Sequence, residues 1–190
     1  MGIASSVWGL VLVHVVADSF ADISSLKLYV DGQLVPLDAD GRVLITPTQP
    51  GKVNLRAVAV DADGAVGETL RQLKVRDPAD KTAPILQLAD TLAGARLTAP
   101  LAITGRVQDA NLDVWRLEIA ARGSSDFMVL ATGDAAFDGS AMSFDPGRFA
   151  DGLYTLQLVA RDIGGRTSIT SVAVEIDTAA KRGQYLRQDT

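Results

Sequence analysis

Apolar and polar residues alternate with a period of two along most of the chain, in short runs that end at turn residues. Residues 26–30 alternate in this way, and Asp31-Gly32 follows them as a hairpin turn. Residues 53–60 repeat the pattern and end at the turn Asp61-Ala-Asp-Gly64. No stretch longer than about ten residues carries an apolar stripe at helical spacing. The pattern therefore predicts an all-β fold of short strands, as in a sandwich or a barrel.

The longest apolar stretch, residues 7–17, is rich in Val and poor in residues that favour helices. A transmembrane helix needs about 20 apolar residues, and this stretch is shorter and contains His14. Residues 1–6 carry no Lys or Arg, so the basic region that opens a signal peptide is not found there. We therefore predict a buried strand for this stretch.

Residues 77–84 interrupt the strand pattern with two prolines, three charges and no large apolar side chain. Such a composition is typical of an exposed linker that proline stiffens. The segments on either side each have about the size of one small sandwich. We predict a first β-sandwich over residues 1–77, a linker over 78–84 and a second β-sandwich over 85–178. Residues 179–190 would form a tail or the start of a following segment.

An internal repeat supports this division. Residues 50–64 match residues 151–165 at an offset of 101, with six identities in fifteen positions. Average residue usage would give roughly one identity. The matched pairs are Gly51 and Gly152, Leu55 and Leu156, Val58 and Val159, Ala59 and Ala160, Asp61 and Asp162, and Gly64 and Gly165.

An earlier strand also has a counterpart, because Leu26, Leu28 and Val30 correspond in pattern to Trp115, Leu117 and Ile119. The second copy has an additional first strand near residues 85–88. The first copy has almost nothing before residue 7, so it either begins at or after its first strand or lacks that strand.

Composition excludes several classes of function. The formal net charge of −5 argues against a nucleic-acid partner, which needs a basic surface. The chain has no cysteine and one histidine, so thiol catalysis, disulfides and two-histidine metal sites are excluded. No Gly-x-Ser-x-Gly motif and no phosphate-binding glycine loop is present. We therefore predict that the chain is not an enzyme.

The second half resembles the immunoglobulin-like modules of large secreted or surface proteins of bacteria. The resemblance is carried by residues 100–109, 111–119 and 144–146, and most specifically by residues 151–168, which begin Asp-Gly-Leu-Tyr-Thr-Leu. It implies two sandwiches of the immunoglobulin or fibronectin-III type in tandem. Such modules accompany RHS/YD-repeat proteins, adhesins and polysaccharide-degrading enzymes. The implied role is to space, display or dock neighbouring domains.

Two aromatic residues have structural interpretations in such a sandwich. Trp115 alternates with apolar neighbours that point inward, so we expect it in the core. Tyr154 follows the Asp151-Gly152 turn, where a tyrosine corner would form.

The loop aspartates leave one alternative open. Asp61, Asp63, Asp77 and Asp80 could supply oxygen ligands to Ca²⁺ near the linker, as in related modules. However, Asp and Gly are also the usual turn residues, and the spacing is not that of an EF-hand loop. Turn chemistry is the favoured interpretation, and no other cofactor is predicted.

The sequence thus predicts a non-catalytic spacer or interaction module of a larger secreted or surface protein of bacteria, of RHS/YD-repeat type first. The expected partners are neighbouring domains or another protein, without membrane insertion. The alternative is a module that binds a carbohydrate or a host surface, with residues 124–144 as a long binding loop containing Phe127, Phe137 and Met142.

Overall fold

The computed structural model describes residues 9–178 and divides the chain into two compact units. The boundary between the units falls between Asp80 and Lys81, inside the segment predicted as a linker. The predicted C-terminal segment, residues 179–190, lies outside the described residues, as does the start of the predicted first strand. Over the described part, no helix is long and apolar enough to cross a membrane.

Over residues 9–80, the described part of the first unit, the chain forms six strands in two sheets. One sheet has the order β3-β2-β5-β6 and the other pairs β1 with β4. The strands are β1 (Val11–His14), β2 (Ile23–Val30), β3 (Gln33–Val35), β4 (Arg42–Ile45), β5 (Gly51–Asp61) and β6 (Val66–Val75). The β2–β3 hairpin turns at Asp31 and Gly32, both with positive φ, as the two-residue hairpin predicts.

The second unit is larger, and its residues 81–178 form eight strands, also in two sheets. A five-stranded sheet has the order β11-β10-β13-β14-β8, and a three-stranded sheet has the order β12-β9-β7. The strands are β7 (Ile85–Leu88), β8 (Arg96–Leu97), β9 (Leu101–Gln108), β10 (Leu112–Ala121), β11 (Met128–Gly133), β12 (Phe137–Phe144), β13 (Gly152–Asp162) and β14 (Thr167–Ile176). The described residues add only two 3₁₀ turns, Asp90–Leu92 and Pro146–Arg148. The all-β sandwich class predicted from the sequence is confirmed.

The internal repeat extends to the strand register. Leu28 of β2 lies opposite Ala57 of β5, and Leu117 of β10 lies opposite Leu158 of β13. Both pairings also contain an irregularity at the start of the earlier strand, next to Ile23 and next to Leu112. Because side chains alternate between the two faces of a strand, this shared register places equivalent residues on equivalent faces.

The two cores differ in size. In the second unit, buried aliphatic and aromatic side chains from both sheets form one cluster that includes Ile103, Leu117, Phe144 and Leu158. In the first unit, the buried cluster contains Val15, Leu28 and Ile45, with partly buried neighbours around them. The first unit therefore removes much less apolar surface from water.

The prediction of a buried first strand was wrong. Of residues 9–17, which the structure describes, Val11–His14 form a strand, and its residues are alternately half-buried and exposed. Leu12 is 61% exposed, because β1 belongs to a two-stranded sheet that packs on one face only. The continuous apolar sequence predicted that other elements pack on both faces of this strand, but the sheet is packed on one face only.

Candidate functional site

Asp61 closes the turn between β5 and β6. Its Oδ1 accepts hydrogen bonds from the backbone N–H of Asp63 at 3.1 Å and of Ala65 at 2.8 Å. Its Oδ2 accepts from the hydroxyl of Ser19 at 2.6 Å. The Ser19 hydroxyl and the backbone N–H of Ala65 hold the pKa of the Asp61 carboxyl below its usual range, and the N–H groups of Asp63 and Gly64 contribute in the same direction.

Asp162 forms the same turn in the second unit. Its Oδ1 accepts from the backbone N–H of Arg166 at 2.7 Å, and its carbonyl accepts from Gly165 at 3.1 Å. In addition, the Nε of Arg166 lies 3.1 Å from Oδ2 of Asp162 and donates to the carbonyl of Thr82 at 2.8 Å. The Asp162 side chain is fully buried, so the turn N–H and the guanidinium together compensate its charge.

These contacts explain the repeated aspartates as turn residues. The Oδ1 of Asp77 likewise accepts from the backbone N–H of Ala79 at 2.8 Å, and Asp80 is half-buried at the last position of the first unit. Within residues 9–178, no group of three or more His, Cys, Asp or Glu side chains is arranged to hold a metal ion. Calcium binding by Asp61, Asp63, Asp77 and Asp80 therefore stays a prediction of the sequence.

Trp115 lies in the core of the second unit. Its ring packs against Phe137 with the centroids 4.8 Å apart, and its Nε1–H donates to the carbonyl of Ala135 at 2.9 Å. Gly133 faces it from β11, and a Cβ atom at that position would lie 2.6 Å from the indole ring. The absence of a side chain at Gly133 thus allows β11 to approach the tryptophan.

Tyr154 lies where a tyrosine corner was expected. Its hydroxyl donates to the carbonyl of Ala150 at 2.9 Å, four residues earlier in the chain. Its ring meets Phe149 edge-on, with the centroids 6.1 Å apart. These contacts fix the loop that precedes β13, which is a structural role.

Gly51 and Gly152 begin equivalent strands, β5 and β13. Their φ angles are +116° and +153°, in the region that favours glycine. A residue with a side chain would strain the backbone at both points. The repeated glycine therefore has a conformational reason in both units.

The prediction that residues 124–144 form a long binding loop was wrong. This region forms β11 and β12, and two of its three large apolar residues, Phe137 and Met142, pack against the core of the second unit. The sequence did not reveal that Phe137 would pack on Trp115, because the two strands come from different sheets.

Sequence reasoning also missed several buried charges in the second unit. Glu118 is 7% exposed, and it pairs with Arg116 at 2.8 Å and accepts from Gln157 at 2.8 Å. Asp113 is 6% exposed and pairs with Arg161 at 2.9 Å. All these residues lie on adjacent central strands, where neighbouring side chains cover one another. Each buried carboxylate thus has a basic partner on its own sheet, which compensates part of the cost of burying its charge.

His14 is the only histidine of the chain and lies exposed on β1. Its strand neighbour on β4 is Arg42, which is not a base that could activate a nucleophile. The residues described thus form no arrangement of nucleophile and base around this histidine.

Comparison with known proteins gave matches among solved structures only. No family model matches the chain, and no curated protein matches it. The fibronectin(III)-like modules of Clostridium thermocellum CbhA match over 99% of both chains, with 21% identity and a TM-score of 0.35. A tetra-tandem repeat from the extending region of a large adhesion protein matches 80% of this chain, with 23% identity and a TM-score of 0.35.

A third match is SGBP-B of the Bacteroides ovatus mixed-linkage glucan utilization locus, solved with a mixed-linkage heptasaccharide, at 15% identity and a TM-score of 0.30. The present chain spans 42% of the adhesion repeat and 41% of SGBP-B. Since all three TM-scores lie below 0.5, the fold class rests on the strands and their pairing.

Proposed function

We propose that the chain is a non-catalytic structural module of a larger secreted or cell-surface protein, and that it transmits tension along the polypeptide. The observation that carries this proposal is the pairing of β8 with β14 in the second unit. These strands run parallel, with Arg96 opposite Glu175 and Leu97 opposite Ile176. The chain enters this unit through β7 and β8 and leaves it after β14.

Parallel pairing of the entering and leaving strands determines how the unit bears load. Tension first pulls on β7, which pairs with β9. Once β7 yields, tension pulls β8 toward its amino end and β14 toward its carboxyl end, so these two strands slide past each other along their axes. Three backbone hydrogen bonds lie along this path, from Gly94 to Ala173, Glu175 to Ala95 and Asp177 to Leu97, at 2.8–3.1 Å. Because sliding loads all three bonds together, they must break in one step.

Arg96 reinforces this strand pair through charge. Its guanidinium pairs with Glu175 at 3.7 Å and also with Asp177. Both carboxylates lie on or just after β14, on the strand that leaves the unit. An ion pair across the two strands holds them in register.

Single-molecule force measurement tests the proposal. The full chain would be held by handles attached at residues 81 and 178, so that force crosses the second unit. Arg96→Glu faces two carboxylates and should lower the unfolding force clearly. Arg122→Glu, at an exposed position beyond the end of β10, is the charge-matched control and should leave the force unchanged. Equal unfolding forces for the wild type and Arg96→Glu would contradict the load-bearing role.

A bacterial source and a parent of the RHS/YD-repeat type belong to the same proposal, supported by the sequence resemblance over residues 85–177. The partner would be a neighbouring domain of that parent. Turnover of any substrate by the purified chain would contradict the proposal that it is not catalytic.

A further inference from the structure

An open groove of about 380 Å³ lies on the first unit, between the segment that follows β1 and the start of β6. Its floor is formed by Leu26, Ala57 and Ala59. Its walls include Val16, which is 73% exposed, and Val66, which is 68% exposed. Large aliphatic side chains at this level of exposure are costly in water, so the groove favours an apolar occupant.

The second unit shows what occupies the equivalent place there. Val11 of β1 lies opposite Ile45, and Leu101 of β9 lies opposite Phe144, so β1 and β9 correspond at an offset of 90 residues. In the second unit, β7 pairs antiparallel with residues 105–108 of β9. The equivalent residues of the first unit are 15–18, which form one wall of the groove.

The strand β7 also packs against β13 and β14 and directs Leu88 into the core. Among residues 9–178, by contrast, β1 pairs only with β4, and β6 pairs only with β5. The outer edge of β6, and the side of residues 15–18 that faces away from β4, therefore lie beside the groove as positions where a further strand can pair.

The floor of the groove is built from smaller residues than its counterpart. Leu26 and Ala57 of the first unit correspond to Trp115 and Leu158 of the second. These smaller side chains leave room for aliphatic groups that enter from outside.

The charge of the lining residues further restricts which ligand fits the groove. Three carboxylate residues line the groove, Asp18, Asp61 and Glu68, and no Lys or Arg is among its described lining residues. Asp61 accepts from Ser19, and Glu68 pairs with Arg56 outside the groove, whereas Asp18 is exposed at the rim. An occupant with a basic residue beside its apolar stretch is complementary to this rim.

We propose that this groove binds an extended strand of a partner protein, which carries aliphatic side chains at alternate positions and a basic residue beside them. The strand pairs antiparallel with the backbone of residues 15–18. Its inward side chains cover Ala57 and Ala59 and contact Val16 and Val66. This interaction adds a strand to the first unit and is independent of the load path through the second unit.

Synthetic peptides test the proposal directly. The probe copies residues 82–89 of this chain, the β7 segment, with two lysines added at one end, and its matched partner carries two glutamates instead. Binding to the full chain is followed by fluorescence anisotropy. The lysine peptide should bind about threefold or more tightly than the glutamate peptide at low salt, and the difference should shrink as salt is added.

Variants of the chain locate the binding site. Val66→Asp and Val16→Asp each place a charge on a wall of the groove and should weaken binding of the lysine peptide about tenfold. Leu34→Asp is the matched control, since Leu34 is 60% exposed on β3 and does not line the groove. It should change the affinity less than twofold. Hydrogen exchange should show new protection of amides within residues 16–18 when the peptide is bound, whereas the amide of Val15 already donates to the carbonyl of Gly41 at 2.9 Å.

Three results would overturn the proposal. The first is absence of binding by the lysine peptide. The second is an equal loss of affinity in Leu34→Asp and both groove variants, which would show that binding is not at the groove. The third is a concentration-dependent dimer, measured by light scattering without peptide, that Val66→Asp abolishes. That result would assign the groove to a second copy of this chain.

Discussion

Leu28 and Leu117 occupy equivalent positions in the two units, and truncating each to alanine compares the two cores. Leu28 is 1% exposed and Leu117 is 0% exposed. Each lies on a strand that pairs with two neighbours, opposite Ala57 in the first unit and Leu158 in the second. The chemical change is the same, so any difference in effect comes from the surroundings.

The free energy of unfolding that each variant loses depends on the size of the core around the leucine. A Leu→Ala change in a protein core costs about 2.7–5.0 kcal/mol, and the cost rises with the cavity that remains. We expect about 3 kcal/mol for Leu28→Ala, because few buried side chains surround this residue and an open groove lies nearby. We expect about 4–5 kcal/mol for Leu117→Ala, which is enclosed by the larger cluster.

Leu28→Ala should lose less free energy of unfolding than Leu117→Ala, yet it should reduce the stability of its own unit by the larger fraction. A unit of about 80 residues has a free energy of unfolding of about 4–12 kcal/mol, and a core of few buried residues places the first unit near the lower end. Leu28→Ala would then remove most of that free energy. At about 4–8 °C for each kcal/mol, the melting temperature of the first unit should fall by roughly 12–24 °C.

Native-state hydrogen exchange, followed by mass spectrometry, measures the effect unit by unit. Leu28→Ala should remove protection from the amides of β2 and β5, and Leu117→Ala should lower protection in β10 and β13. Leu34→Ala, at an exposed position on β3, is the control and should change little. A loss below about 1 kcal/mol for Leu28→Ala would refute the assignment of this residue to a core.

Three further measurements test the turns and the tryptophan site. Gly133→Ala should destabilise the second unit, since the new Cβ would lie 2.6 Å from the ring of Trp115, whereas Gly67→Ala meets open space and should not; chemical denaturation compares them. Ser19→Ala should raise the pKa of Asp61 toward 3.8, which a carboxyl-carbon NMR titration measures. The lowered pKa contributes stability above the unfolded-state value and loses it as the pH falls through the folded-state value, so the wild type should exceed this variant at neutral pH and match it in strong acid. Melting temperatures in EDTA and in millimolar Ca²⁺ should be equal if Asp61 and Asp77 serve as turn residues, since both accept backbone hydrogen bonds within their own turns, and a clear rise in Ca²⁺ would instead establish an ion site.

The strand pattern and the internal repeat could be predicted from the amino-acid sequence alone. A period-two alternation of aliphatic residues can bury one face only as a strand, so the all-β class followed from local chemistry. The match between residues 50–64 and 151–165 also predicted two copies of one sandwich, and Gly51, Gly152, Asp61 and Asp162 lie where the matched strands begin and end. These are local requirements of the backbone, and they can be read from neighbouring residues.

The surroundings of each strand depend on contacts between segments that are distant in the sequence. The apolar sequence of β1 was predicted to be buried, yet Leu12 is exposed, since burial depends on how many sheets and strands cover a segment. The contact of Arg166 with Asp162 and Thr82, and that of Phe137 with Trp115, join residues far apart in the sequence. The groove beside Val66 exists because β7 has no counterpart among the described residues of the first unit. Such features depend on how strands and sheets pack together. The alternation of residues along a single strand carries no information about that packing.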